Sequence, residues 1–182
     1  METSIIIAGF GGQGVMFAGQ LLAYTGMAEG RHVTWIPSYG PEMRGGTANC
    51  TVIISDDPIG APIVAQPDVA IVLNLPSFEK YDPLVKTGGL MIVNCSIVSE
   101  TSQREDMEII YMPANAIAEE SGTVRMLNVA VVGAMLARRP VLKLEAVERT
   151  LIEQLSKKKA HLIDDNLKVL KRGYEAGLLV AA

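Results

Sequence analysis

Cysteine is scarce in this sequence. The two present, Cys50 and Cys95, lie in separate strand-like segments, with no C-x-x-C and no Cys/His cluster. A disulfide framework, a zinc site and a cysteine-ligated iron–sulfur cluster within the chain are therefore unsupported, and a reducing cytoplasm fits. Excess positive charge is lacking too: 16 Lys and Arg face 20 Asp and Glu, a net charge of −4. Neither nucleic acid nor an anionic membrane surface is expected to partner the whole molecule, so any bound anion must be held locally. No long apolar run occurs. The run centred on Val129 to Ala137 is too short to cross a bilayer, which takes about 20 residues. The opening Met1-Glu2-Thr3-Ser4 lacks a basic region, so no signal peptide is expected. A nucleophile elbow and a Walker lysine are also missing.

What is present describes one globular domain spanning residues 1–182. A chain of 182 residues with 49% hydrophobic and 20% charged residues can bury roughly 70% of its unfolded surface and is not disordered. Its mean hydropathy of +0.27 points to buried sheet plus surface for a partner protein.

Residues 4–9 form an apolar run ending in Gly9 and read as a strand buried on both faces. Residues 14–29 read as a helix, ended by Gly30, and residues 33–36 as a strand stopped by Pro37. The order strand, glycine loop, helix, strand is a Rossmann-like βαβ unit. Further strands are expected at 47–55, 69–73, 90–93 and 108–112, the first possibly antiparallel, with a short helix opened by Pro76 and another at 114–120. The last third is helical. Residues 124–138 are apolar nearly all round and end before Pro140. Leu144, Val147, Leu151 and Leu155 stripe the next helix, and Asp164 or Asp165 can cap the last. The expected fold is a three-layer α/β one, a mostly parallel sheet flanked by helices.

Two loops carry chemistry. Gly9-Phe10-Gly11-Gly12-Gln13-Gly14 fits G-x-G-x-x-G between a strand and a helix. Glycines let backbone N–H groups approach a phosphate, and the helix N-terminus adds partial positive charge. A turn that merely packs the helix on the strand is the plain alternative. A dinucleotide site would also place an acid near the end of the second strand, where Val33-Thr34-Trp35-Ile36-Pro37-Ser38 has none. The loop thus favours a phosphate-bearing ligand other than an ordinary dinucleotide. Polar residues gather at the predicted strand ends: Gln13, Ser38, Asn74, and Asn94 with Ser96. Singly they read as turn and cap residues; together they support a cleft.

The second loop is Ser38-Tyr39-Gly40-Pro41-Glu42-Met43-Arg44-Gly45-Gly46. Arg44 can hold a phosphate or carboxylate, with Glu42 orienting it; an exposed Glu–Arg pair of little consequence is equally compatible. His32 and His161 have no acidic partner at motif spacing and read as surface residues. Lys157-Lys158-Lys159 reads as a solvated helix end, and Asn128 as a satisfied core amide.

Together the two loops, Gly9 to Val15 and Pro37 to Gly46, resemble those of the gamma subunit of 2-oxoacid:ferredoxin oxidoreductases. The resemblance covers nearly the whole chain, including Asn128-Val129 and Gly173-Tyr174-Glu175-Ala176-Gly177. Phe10 and the Ile36-Pro37-Ser38-Tyr39 lead-in look closest to the 2-oxoglutarate or 2-oxoisovalerate branch; pyruvate chains more often show Gly-Arg-Gly-Gly-Gln-Gly.

The resemblance implies a multi-subunit enzyme that oxidatively decarboxylates a 2-oxoacid to its acyl-CoA and reduces ferredoxin. It implies alpha, beta and ferredoxin-like delta partners. Thiamine diphosphate, magnesium and iron–sulfur clusters would belong to those partners. This chain, which lacks the Gly-Asp-Gly of a thiamine diphosphate site, would hold no metal and no catalytic residue of its own. It would contribute coenzyme A binding and assembly, and be inactive alone. Gly11, Gly12, Gln13, Gly14 and Ser38 would bind the CoA phosphates. Arg44 would hold a second charge, and Tyr39, Glu42, Asn74 and Asn94 would shape the subunit junction. A free-standing NAD(P)- or flavin-binding oxidoreductase domain and a purely structural subunit stay open as alternatives. So does a homodimer of the isolated chain over its unfilled interface.

Overall fold

The computed structural model describes residues 1–39, 47–156 and 159–179. The chain begins with β1 (Glu2–Phe10), α1 (Val15–Ala28), β2 (His32–Tyr39) and β3 (Thr47–Ser55). Next come β4 (Val69–Val72), α2 (Leu75–Tyr81), β5 (Leu90–Asn94), β6 (Glu108–Met112) and α3 (Ala114–Glu119). The helical end comprises α4 (Leu127–Arg138), α5 (Leu144–Ser156) and α6 (Ile163–Leu179).

The strands form one six-stranded sheet in the order β2-β3-β1-β4-β5-β6. The pairs from β1 through β6 are parallel, whereas β3 runs antiparallel to both β1 and β2. The first βαβ unit is therefore split: β1 and β2 point the same way, but β3 lies between them. Its nine apolar-rich residues pair along their whole length with β1, from Glu2 opposite Ser55 to Phe10 opposite Thr47.

The alternation of strand side chains builds two cores. Ile5, Ile7, Val52, Ile54, Ile71, Ile92 and Ile110 face one way, beneath α1, α4, α5 and α6. Ile6, Ala8, Ala70, Val72, Met91 and Val93 face the other way, against Phe78 and Tyr81 of α2 and against Val85 and Val98. These are the three layers expected, with most helices on one side. Strands β4 and β5 are buried on both faces, which is why their sequences are continuous apolar runs.

Two details depart from the sequence reading. Pro37 does not stop its strand, which continues to Tyr39. β2 is an edge strand, and there a missing N–H is tolerated. Asp164 and Asp165 do not cap α6; they occupy its first turn, where their charge still complements the helix dipole.

Helix α4 is buried almost entirely because α6 lies directly on it. A Cβ on Gly173 would overlap the Ala130 carbonyl, one on Gly133 would lie 2.7 Å from Tyr174 N, and one on Gly177 2.8 Å from Ala134 Cα. Backbone-to-backbone contact of this kind needs glycine on both helices. It accounts for Gly173 and Gly177 in the C-terminal stretch.

Candidate phosphate-binding end of the sheet

The connection after β1 enters α1 on one face, while the connection after the neighbouring β4 enters α2 on the other. Such a divergence opens a crevice beyond the carboxyl ends of the strands, where open α/β sheets take ligands. The glycine loop stands at this switch point.

Two of its glycines have left-handed backbone: Gly12 at φ 100° and Gly14 at φ 77°. Gly14 is the N-cap of α1 and supplies no side-chain cap, and the first turn carries no acid. The first helical N–H groups of a 14-residue helix thus stay free for an anion.

Gln13 closes the loop from within. Its Oε1 accepts the Phe10 N–H at 2.6 Å, and its Nε2 donates to the Leu73 carbonyl at 3.0 Å. The turn is tied to the end of β4, and Gln13's amide is used in the tie. Asn128, on α4, donates from Nδ2 to the Gly14 carbonyl at 3.2 Å. A Cβ on Gly14 would lie 2.6 Å from that amide. Asn128 is a satisfied amide that braces the loop from behind.

Asn74 is fully buried at the N-cap of α2, where its Oδ1 accepts the Ser77 N–H at 2.9 Å. Its Nδ2 has no partner, an orphan donor at the end of the strand beside β1. Asn94 is also fully buried. Its Nδ2 donates to Asn115 Oδ1 at 2.9 Å, and its Oδ1 accepts the Ser96 N–H at 3.3 Å. That amide knits the end of β5 to the turn that follows it and to the first turn of α3.

Ser38 lies opposite Asn49, which lies opposite Ala8. It is level with the loop but two strand spacings away, about 10 Å. Tyr39 is 67% exposed beside it. Arg44 and Glu42, the charged pair of the second loop, fall outside the described residues. The structure therefore sets the glycine loop and Asn74 at the carboxyl ends of the neighbouring strands β1 and β4, leaves Ser38 and Tyr39 two strands away, and shows Gln13 and Asn94 occupied internally.

Sequence reasoning missed two cations. Arg125, just before α4, and Lys159, in the run read as a solvated helix end, line a pocket of about 260 Å³ together with Gly14, Phe17, Asn128 and Asn166. Only the packing of α4 and α5 beside α1 brings them to the loop; no spacing along the chain announces it.

The thiols offer no chemistry here. Burial pushes Cys50 up to about 11, and burial also raises Cys95. His32 and His161 are exposed, and among the described residues no cluster of His, Cys, Asp or Glu could hold a metal. Nor is any described helix long and apolar enough to cross a membrane.

Residues 4–176 match the pyruvate ferredoxin/flavodoxin oxidoreductase family. The chain belongs to that family. The ketoisovalerate oxidoreductase subunit VorA of Methanothermobacter marburgensis is 41% identical over 172 residues, 94% of this chain but 36% of that protein. The chain thus spans about a third of that relative's length. The gamma subunit of a keto/oxoacid ferredoxin oxidoreductase from Geobacter sulfurreducens has the same fold, with a TM-score of 0.86, 28% identity, and coverage of 98% and 97% of the two chains. A 2-oxoglutarate:ferredoxin oxidoreductase from Magnetococcus marinus, solved with 2-oxoglutarate, coenzyme A and succinyl-CoA, shares the fold at a TM-score of 0.90 and 20% identity. This chain covers 32% of that one. Within the family the same domain thus occurs both as a separate gamma chain and as part of a longer chain.

Proposed function

We propose that this chain is the gamma subunit of a cytoplasmic 2-oxoacid:ferredoxin oxidoreductase, in which residues 1–182 act as one domain that binds coenzyme A and joins the assembly. The complex oxidatively decarboxylates a 2-oxoacid, 2-oxoglutarate or 2-oxoisovalerate, to its acyl-CoA and reduces ferredoxin. Alpha, beta and ferredoxin-like delta subunits complete it. They carry the thiamine diphosphate, magnesium and iron–sulfur clusters, and the chain alone is inactive.

The observation that carries this reading is the uncapped N-terminus of α1 beyond a glycine loop at the switch point. Backbone N–H groups of Gly11, Gly12 and Gly14 meet the CoA diphosphate there, while that of Gln13 donates to the Phe10 carbonyl at 3.2 Å and shapes the turn. An anion at such a terminus gains about 0.3–1 kcal/mol from the helix dipole, and more when partly buried. Gln13 holds the loop open in that shape. Arg44 takes a second charge, Ser38, Tyr39 and Glu42 form the rim toward the partner subunits, and Asn74 and Asn94 fix the floor. The Magnetococcus enzyme has coenzyme A bound, and this supports the reading through the shared fold.

Gly12→Val in the assembled enzyme tests it. A side chain at φ 100° both strains the loop and covers the approach to its N–H groups. The Michaelis constant for CoA should rise at least tenfold; CoA kinetics like wild type would remove the loop from the site. A second reading, that the chain is purely structural, draws on Gln13 and Asn94 being consumed internally. It predicts that wild-type result.

A further inference from the structure

We infer that Arg125 and Lys159 hold the 3′-phosphate of coenzyme A, on the far side of Gly14 from the diphosphate. This rests on the CoA reading of the glycine loop and assigns a second anion site to residues outside both loops.

The pocket at Arg125 and Lys159 shares Gly14 with the glycine loop. Its lining contains two cations and no carboxylate. Other basic pockets of the molecule are different. Lys86, Arg138 and Arg139 lie with Glu2 and Asp68 at the opposite end of the sheet. Lys168, Lys171 and Arg172 lie with Glu175 on α6 and with Glu120 at the C-cap of α3. Those cations are matched by acids, as in the Lys86–Asp68 pair at 2.7 Å and the Arg172–Glu120 pair at 2.8 Å. The Arg125 and Lys159 side chains make no ion pair or hydrogen bond among the described residues. In a chain of net charge −4, two unmatched cations beside a free helix N-terminus mark an anion site of their own.

The ligand's chemistry fits two neighbouring anion sites. One ribose of CoA carries the diphosphate on its 5′ side and a phosphate monoester at its 3′ carbon. A diphosphate seated on the N–H groups before α1 leaves the monoester to reach across Gly14. Asn128, which braces Gly14, also lines the pocket and so keeps the two sites in fixed relation.

Dephospho-CoA, which lacks only the 3′-phosphate, separates the sites. The assembled enzyme is titrated with CoA and with dephospho-CoA, and its viologen reduction is followed. In wild type, dephospho-CoA should show the higher KM. In the Arg125→Ala/Lys159→Ala variant the KM for CoA should rise about tenfold, below the roughly thirtyfold ceiling for two solvent-facing ion pairs, and the ratio between the two thiols should fall toward one. A ratio that stays at the wild-type value overturns the inference. So does loss of subunits with that ratio unchanged, which would assign the cations to carboxylates of a partner subunit. Gly12→Val distinguishes the two levels. If it raises the KM for both thiols while the double variant changes nothing, only the 3′-phosphate site falls. If it alters neither, the CoA reading itself falls.

Discussion

Replacing Gly173 by alanine should destabilise the chain, against the intrinsic preference of helices. Gly173 lies within α6, where alanine is favoured over glycine by about 1 kcal/mol. The added methyl would overlap the Ala130 carbonyl and lie 2.8 Å from Ala130 Cα. Both are backbone atoms of α4 and cannot rotate aside, so α6 must move outward. Overpacking costs about 1–3 kcal/mol, and contact with backbone puts this case at the upper end. The net loss is about 2 kcal/mol after the propensity gain. For a chain of this size each kcal/mol shifts Tm by about 2–4 °C, so Gly173→Ala should melt about 4–8 °C below wild type. Thermal unfolding followed by circular dichroism reads this directly. Gly60→Ala serves as control: a Cβ there meets nothing within 4 Å, and stability should change by no more than about 0.5 kcal/mol. A Gly173→Ala protein that melts at or above the wild-type temperature would refute the claim that α4 and α6 touch through their backbones.

Gln13→Ala removes the bonds to Phe10 N and Leu73 O; at about 1 kcal/mol each, Tm should fall by roughly 4–8 °C and the KM for CoA should rise, whereas an unchanged Tm would mean that the loop holds its shape unaided. Asp68 gives a pH test. Burial raises its pKa, but hydrogen bonds from Lys86 and Ser4 outweigh this and hold the carboxyl below its ordinary value. A depressed carboxylate contributes stability that is present above the unfolded pKa of about 3.9 and lost as pH falls through the folded one. Asp68→Asn should therefore be less stable at pH 7, and the gap to wild type should close below about pH 4; a gap constant with pH would contradict this. Iodoacetamide at pH 8 should label exposed Cys95 but not buried Cys50 until the chain unfolds; mass spectrometry of the native protein counts the adducts, and equal labelling of both thiols would contradict the packing around Cys50.

Strand and helix positions were largely readable because the apolar runs that enter the sheet are buried on both faces and end at glycine or proline. The antiparallel placement of β3 between β1 and β2 was open as an alternative, but its position in the order depends on pairings between residues about 45 apart in sequence, such as Ile7 with Cys50. Pro37 misled because its cost depends on whether a strand is central or at an edge. At the candidate site, the glycine loop was legible from its motif and flanking elements. The roles of its neighbours were not. An asparagine at a strand end looks alike whether it faces a ligand, as an unpaired amide can, or is spent on a turn, as Asn94 is. Lys159 looks like any solvated cation in the sequence; the packing of α5 on α1 sets it beside Gly14.

The central claim is that this chain works as the gamma subunit of a CoA-dependent oxidoreductase complex. Anaerobic affinity purification of the tagged chain from its native cells, followed by viologen reduction with 2-oxoisovalerate and with 2-oxoglutarate in the presence and absence of CoA, tests it most directly. The account predicts that cluster-bearing partner subunits co-purify and that reduction of viologen requires both a 2-oxoacid and CoA. A chain recovered alone and inactive, under conditions that preserve such complexes, would contradict it.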